Sequence, residues 1–401
     1  MTRAPKLPIR RVAAAISSLT HRILAVEAAS GIALLAATIA ALVIANMWSA
    51  SYAAVWSTPI GGTVSGHAMS APLKFWIDDG AMTIFFFVVG LEIRREIHTG
   101  ELASLRQAAL PFAAALGGML APAIIYAVLN VGRVGASGWA IPMATDIAFA
   151  VGVLTLLGSR VSPSTRVLLL ALAVIDDIGA IVVIGIFFSA GISLVGLAIA
   201  TGGLLAVVAL RSFGVRAPLL YVPFGIVVWA GLLKAGVHPT IGGVLLGLLA
   251  PVRPFAGEDT SVVDRLIRAL HPWVAFVIMP VFALANAGVV LGGASFDGDA
   301  RWIFIGIVAG LAIGKPLGIA VSSIVSSRLG LASRSAELTT RAVLLVGLAG
   351  GIGFTMSLFL AQLALPAGPL LDTAKLAILV GSAASMLVAI VFGAATTKRA
   401  E

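Results

Sequence analysis

The stretch LALAVIDDIGAIVVIGIFF, residues 170–188, sets Asp176 and Asp177 side by side in an otherwise apolar run. Two more stretches of the same kind carry charge: LAIGKPLGIAV holds Lys315, and AIPMATDIAFAVG holds Thr145 and Asp146. Lys315 lies 14 residues after Arg301 and 13 before Arg328; Asp146 lies 13 after Arg133 and 14 before Arg160. At about 1.5 Å per helical residue, each sits some 20 Å from the nearest charged residue on either side, at the middle of an apolar slab. Asp79, in FWIDDGAMTIFFFVVGLEI, lies nearer one end of its run. Each such charge opposes membrane insertion by roughly 2.5–3.5 kcal/mol, so all of them need a reason.

The plain reason is a structural ion pair, and for Asp79 that reading stands on equal terms with a functional one. The 176–177 pair is different, because two adjacent acids against one lysine leave negative charge in excess. Adjacent residues on a helix point about 100° apart. One aspartate can therefore meet Lys315 while its neighbour meets a water-filled cavity. A buried carboxylate becomes tolerable by binding a proton or by holding a hard cation. A site that offers both is one where H⁺ and a cation compete. Competition at one carboxylate, opened to each side in turn, is sufficient for exchange transport.

The elements that must position these groups are membrane helices. Of 401 residues, 60% are hydrophobic and only 11% charged, and the mean hydropathy is +1.10. A span needs roughly 20 apolar residues. Twelve candidates follow, near 26–48, 73–98, 109–130, 135–157, 163–188, 195–213, 217–232, 236–250, 262–288, 302–326, 342–365 and 371–396, the seventh and eighth being short. The ten-residue alternating strands of a membrane β-barrel are absent from this pattern. With twelve spans and the N-terminus inside, Lys74, Arg133, Lys234, Arg301 and Lys375 fall outside and Lys315 within the membrane; every other lysine and arginine falls on the cytoplasmic side. That bias predicts both termini in the cytoplasm. It also explains the net charge of +9 as topology and not as a nucleic-acid footprint. Residues 1–25 read as a retained cytoplasmic tail, with VAAAISSL a short interfacial patch and not a cleaved signal, and 397–401 as a second tail. The chain has no cysteine, so disulfides and thiolate metal sites are excluded.

Two spans carry signs of interruption. Pro142 precedes Thr145 and Asp146 in GWAIPMATDIAFAVGVL; Gly347, Gly350, Gly351 and Gly353 precede Thr355 in GLAGGIGFTMSLFLAQL. Each lies in the second of three consecutive spans, the fourth and eleventh overall. Ordinary kinks and close glycine packing would explain either one alone. Together they point to an inverted repeat with two broken helices, whose ends an aspartate and a lysine can neutralise.

The blocks LASLRQAALPF, ATDIAFAVGVLTLLGSRV, AVIDDIGAI, LHPWVAF, GKPLG and GGIGFTMS, in this order over about residues 24–390, resemble the NhaA family of bacterial Na⁺/H⁺ antiporters. The resemblance implies an all-α polytopic fold of about twelve transmembrane helices, with an inverted-topology repeat and unwound, crossing fourth and eleventh helices. It implies one transporter domain, 26–396, with a core bundle of about 109–188 and 302–396 and an interface bundle of about 26–98 and 195–288. It further implies electrogenic exchange of cytoplasmic Na⁺ or Li⁺ for external H⁺ in a bacterial inner membrane, serving sodium and pH homeostasis without a cofactor. Asp177 then matches the essential cation and proton site and Asp176 its neighbour, paired with Lys315. Thr145 and Asp146 match the unwound fourth helix, and Asp79 an acid of the second. Glu92, Arg95 and Glu96, in GLEIRREIHTGELASLRQ, match a cytoplasmic funnel tied to pH response. One departure stands out: the Glu-His pair that well-described members carry before LHPW is here Ile267 and Arg268. The segment 49–71 matches a β-hairpin that pairs two subunits; by composition alone it is equally a Gly/Ser loop.

His271, in LHPW, and His238, in LLKAGVHPT, are either titrating groups or structural ones. There is no phosphate loop, zinc motif or nucleophile constellation, so neither ATP-driven pumping nor an intramembrane enzyme has support. The alternative function is a sodium-coupled symporter of an organic anion on a related fold. It requires a further polar cluster near the midplane, which the sequence does not supply.

Overall fold

The computed structural model describes residues 29–64, 67–189, 191–254, 257–293, 296–332, 335 and 337–396. The two expected tails, with the interfacial patch, lie outside the described residues. Helix α1 (Ala29–Met47) and the short α2 (Ser49–Ser57) lead into an antiparallel hairpin, β1 (Pro59–Val64) and β2 (His67–Pro72), in register Pro59↔Pro72 through Val64↔His67. Of the segment 49–71 that composition left open, Ser49–Ser57 is thus helical and the part from Pro59 onward is a hairpin. A π-helical turn over Trp76–Ala81 enters α3 (Met82–Thr99), followed by α4 (Leu105–Leu129).

The next span is broken. Val134–Met143 is a 3₁₀ segment, and after three extended residues α5 (Ile147–Leu156) departs at 44°. Pro142 cannot donate to the preceding turn, which is where the tight helix ends. Helix α6 (Pro163–Phe187) starts with proline at its first position, and the Ser162 side chain accepts from Thr165 N, a strong start signal. Then come α7 (Leu194–Ser212), α8 (Val222–Ala235), α9 (Thr240–Leu248), α10 (Val262–Asn286) and α11 (Asp299–Arg328). A second broken span joins α12 (Thr340–Gly350) to α13 (Phe354–Ala364) at 49°. Helix α14 (Pro369–Thr396) closes the chain.

Among the described residues, eight helices can cross a membrane by length and composition, or ten with each bent pair counted as one span. Twelve were expected, and two fall short on that measure. Helix α3 carries Glu92, Arg94, Arg95 and Glu96, and α9 is only nine residues long.

Helices α10 and α11 each contain a π turn, at Val274–Ile278 and Gly310–Gly314. Pro280 and Pro316 follow them, and each lacks the N–H that would bond four residues back. The second turn delivers Lys315 to the interior.

Close backbone contact holds the layers. A Cβ on Gly318 of α11 would lie 2.1 Å from the Gly117 carbonyl oxygen of α4, and one on Gly117 would lie 2.3 Å from that of Gly318. Small residues let two membrane helices meet this way. Gly318→Val should therefore destabilise the fold by about 1–3 kcal/mol, the usual cost of overpacking. Gly202→Val, where a Cβ meets nothing within 4 Å, serves as the control in a detergent melt. Equal melting temperatures for the two variants would refute the tight α4–α11 seam.

Candidate functional site

The two breaks meet each other. Asp146 N donates to Ile352 O at 2.7 Å, so the extended residues of one broken span are stitched to those of the other. Four half-helix ends are thereby brought into the protein interior, and each break leaves backbone groups without helical partners. Side chains satisfy them. The Asp146 carboxylate caps α5 by accepting from Phe149 N at 3.3 Å. Its other oxygen accepts from Thr355 N at 3.1 Å and from Thr355 Oγ1. One acid thus serves the positive ends of α5 and α13 together. Lys315 Nζ donates to Met143 O, the carbonyl end of the 3₁₀ segment. Thr145 Oγ1 lies 3.0 Å from Gly350 O, the carbonyl end of α12.

Asp176 and Asp177 project from the middle of α6 and are 1% and 3% exposed. They part as their 100° separation requires. Asp176 Oδ2 pairs with Lys315 Nζ at 2.8 Å and accepts from Thr145 Oγ1 at 2.6 Å. Thr145 has one hydroxyl proton, so it serves either Asp176 or Gly350 at any moment, and the shorter contact is to Asp176. Asp176 Oδ1 is buried without a protein partner among the described residues. Lys315 is fully buried, and its stem passes 3.9 Å from where a Cβ on Gly118 would stand.

Asp177 turns the other way. Among the described residues it makes no hydrogen bond or ion pair, and it lines a cavity of about 510 Å³. Asp146, Thr145 and Thr355 line the same cavity. From there the lining runs past Glu92, Arg95, Glu96 and His271 to Gly100 and Glu101, beyond the end of α3. Glu101 N donates to Glu96 Oε1 at 2.6 Å, fixing that rim.

Asp79 is not part of this assembly. Its Oδ1 lies 3.4 Å from His238 Nε2, and His238 Nδ1 is 2.7 Å from Thr240 Oγ1, a small network against α9. Ile267 is buried with Leu91, Ala250 and Val263, while Arg268 is exposed. Thr355 is the residue of the crossing that sequence reasoning passed over. Its signal was there, a hydroxyl two residues after the glycine run, but no spacing rule ties it to an aspartate 209 residues earlier.

The family model for Na+/H+ antiporter 1 matches residues 21–392. A protein of Sorangium cellulosum called Na(+)/H(+) antiporter NhaA 2 is 51% identical, over 98% of this chain and 93% of its own length. Proteins with the same name from Myxococcus xanthus and Pseudomonas putida are each 46% identical, over 96% and 91% and over 93% and 92% of the two lengths. With a cavity that ends on an unpaired aspartate between two broken helices, and with similarity of this extent, the chain belongs to the Na+/H+ antiporter 1 family.

Proposed function

We propose that this protein is a secondary antiporter that exchanges cytoplasmic Na⁺ for external H⁺ at Asp177 and Asp176. The observation that carries the reading is the division of labour between the two acids: one held by Lys315, the other bare in the cavity. Asp177 is the group that a proton or Na⁺ takes in turn. Asp176 Oδ1, without a protein partner among the described residues, is a second oxygen for the same ion. Sodium is a hard cation and prefers such oxygens; Li⁺ fits the same ligands. If one cation held by two carboxylates replaces two protons, the cycle is electrogenic. Lys315, Asp146 and Thr145 support the crossing, and Glu92, Arg95, Glu96 and His271 form the funnel by which ions and pH reach it. Asp79 stands apart as an additional membrane acid.

The rest of the architecture is proposed on the same footing. Twelve spans, with α3 and α9 crossing in protein-lined positions, place both termini and the funnel in the cytoplasm of a bacterial inner membrane. Two three-span units, α4 to α6 and α11 to α14, each with a broken middle, form an inverted repeat and the core bundle; the remaining helices form the interface bundle. Segment 49–71, with its hairpin, is the dimer contact. Organic-anion symport is not favoured: the family model and the relatives are named for Na⁺/H⁺ antiport, and the cavity wall is mostly apolar side chains around the acids.

Collapse of a pH gradient by added Na⁺ in everted membrane vesicles is the direct test. No collapse by Na⁺ or Li⁺ at any pH, with the protein present, would sink antiport. The same assay yields a sharper prediction. Competition at Asp177 makes the apparent KM for Na⁺ rise as pH falls, and saturating Na⁺ shifts the activity profile toward acid. Ile267 cannot titrate, and an arginine does not titrate in the physiological range, so this dependence persists without the Glu-His pair. A KM independent of pH across the activation range refutes competition and moves the sensor to the funnel.

A further inference from the structure

Three of the helices that line the cavity carry the same three layers in the same order. On α3 and the turn before it these are Asp78, then Phe86, then the cavity residues Val89 and Glu92. On α10 they are Asn286, Phe282, then Met279 and Ala275. On α13 they are Gln362, Phe359, then Met356 and Thr355. The cavity opens at the Glu101 end, so the other two layers close the opposite end, beside the hairpin.

The inner of these layers is a dry plug. Phe86, Phe282 and Phe359 are 1%, 0% and 2% exposed, with ring centroids 5.4 Å apart for Phe86–Phe359 and 6.2 Å for Phe282–Phe359. The outer layer is a cage. Lys74 Nζ meets Asp78 Oδ2 at 2.5 Å, Gln362 Oε1 at 2.6 Å and Asn286 Oδ1, while Asn286 Nδ2 donates to Asp78 Oδ1 at 2.6 Å. An ammonium has three protons, and all three are taken. A carboxylate and two amide oxygens around one cationic centre is the ligand set of a small hard cation; here a tethered ammonium fills it.

We propose that Lys74, caged by Asp78, Asn286 and Gln362, is the latch that holds this end shut while the cavity is open at the other. The cage joins the hairpin-side turn and α10 to α13, the second half of a broken span, so α13 cannot move relative to the other two without withdrawing Gln362. Charged hydrogen bonds of this kind are among the strong ones, and losing them shifts the balance between the two openings. The inference rests on the antiport reading only in treating the cavity as half of an ion path.

The chain has no cysteine, so one introduced thiol reports alone. Ala283 shares a helix face with Met279 and Asn286, at i+4 and i+7 from Met279, and lies between plug and cage. In an Ala283→Cys background, a membrane-impermeant maleimide applied from the hairpin side should react slowly. Adding Lys74→Met should raise that rate roughly tenfold, the shift expected from losing charged hydrogen bonds. At Ala275→Cys, labelled from the Glu101 side, the same change should lower the rate. Asp78→Asn, which keeps the shape and removes the charge, should act in the same direction and carries the test if Lys74→Met fails to reach the membrane. Rates within twofold of the parent at position 283 overturn the latch. A rise at 283 accompanied by a rise at 275 means local loosening and overturns it too. Labelling does not depend on which ion is carried, so failure of Na⁺-driven exchange in the parent protein would refute antiport and leave this result standing.

Discussion

Asp177→Asn is expected to abolish Na⁺-driven collapse of a pH gradient while the protein remains folded in the membrane. The side chain makes no hydrogen bond or ion pair with the described residues and faces the cavity, so the isosteric amide disturbs no packing. What it loses is ionisation: an amide neither releases a proton nor gives a charged oxygen to Na⁺. The expected loss is therefore in turnover at every Na⁺ concentration, not a rise in KM. The melting temperature should stay at or above that of the parent, because a carboxyl group in a buried position has been replaced by a neutral one of the same size. Expression, melting and exchange measured on one preparation separate these effects. Near-normal exchange by this variant would remove Asp177 from the mechanism.

How much of this was legible beforehand depends on what hydropathy can report. A charge in the middle of an apolar run is conspicuous, so Asp146, Asp176, Asp177 and Lys315 stand out at once. The angular argument for adjacent residues is purely geometric, and Asp176 and Asp177 do diverge, one to Lys315 and one to the cavity. Pro142 and the glycines after Ala349 mark the two breaks because they remove donors or side chains that a helix uses. The pairing between remote residues was not legible. Thr355 on Asp146, and Gln362 and Asn286 on Lys74, are set by how α13 meets the start of α5, α10 and the turn before α3, and single-span patterns carry no such information. The π turns before Met279 and Lys315 rotate those faces again. Lys74 looked like an end-of-helix base facing water, yet it is the centre of a caged cluster. Span counting is limited in the opposite way: α9, nine residues long, reaches span length only with its flanks, which composition cannot distinguish from helix.

Lys315→Ala should lower both the melting temperature and the exchange rate, and the reason is a double loss. The variant strips the counter-charge from Asp176, 2.8 Å away, in a site where both partners are almost completely buried. It also removes the donor to Met143 O, leaving the carbonyl end of the first broken segment uncapped inside the protein. Removing one partner of a buried pair typically costs about 3–5 kcal/mol, because the other charge is left without compensation. Protonation of the orphaned Asp176 offsets part of that cost, so the deficit should grow as pH rises and the proton becomes harder to hold. A second change discriminates between the two losses. In Lys315→Ala, Asp176→Asn no charge is stranded, and the asparagine amide keeps an acceptor for Thr145 Oγ1. Stability should recover most of the way toward the parent, short of it by the uncapped Met143 carbonyl, worth about 1–3 kcal/mol. Exchange should not recover, since Asp177 alone would then face the cation. Melting curves of the parent, both single variants and the double variant give the coupling directly. If Lys315→Ala melts like the parent, or if the two changes simply add, the Asp176–Lys315 pair does not hold the crossing together.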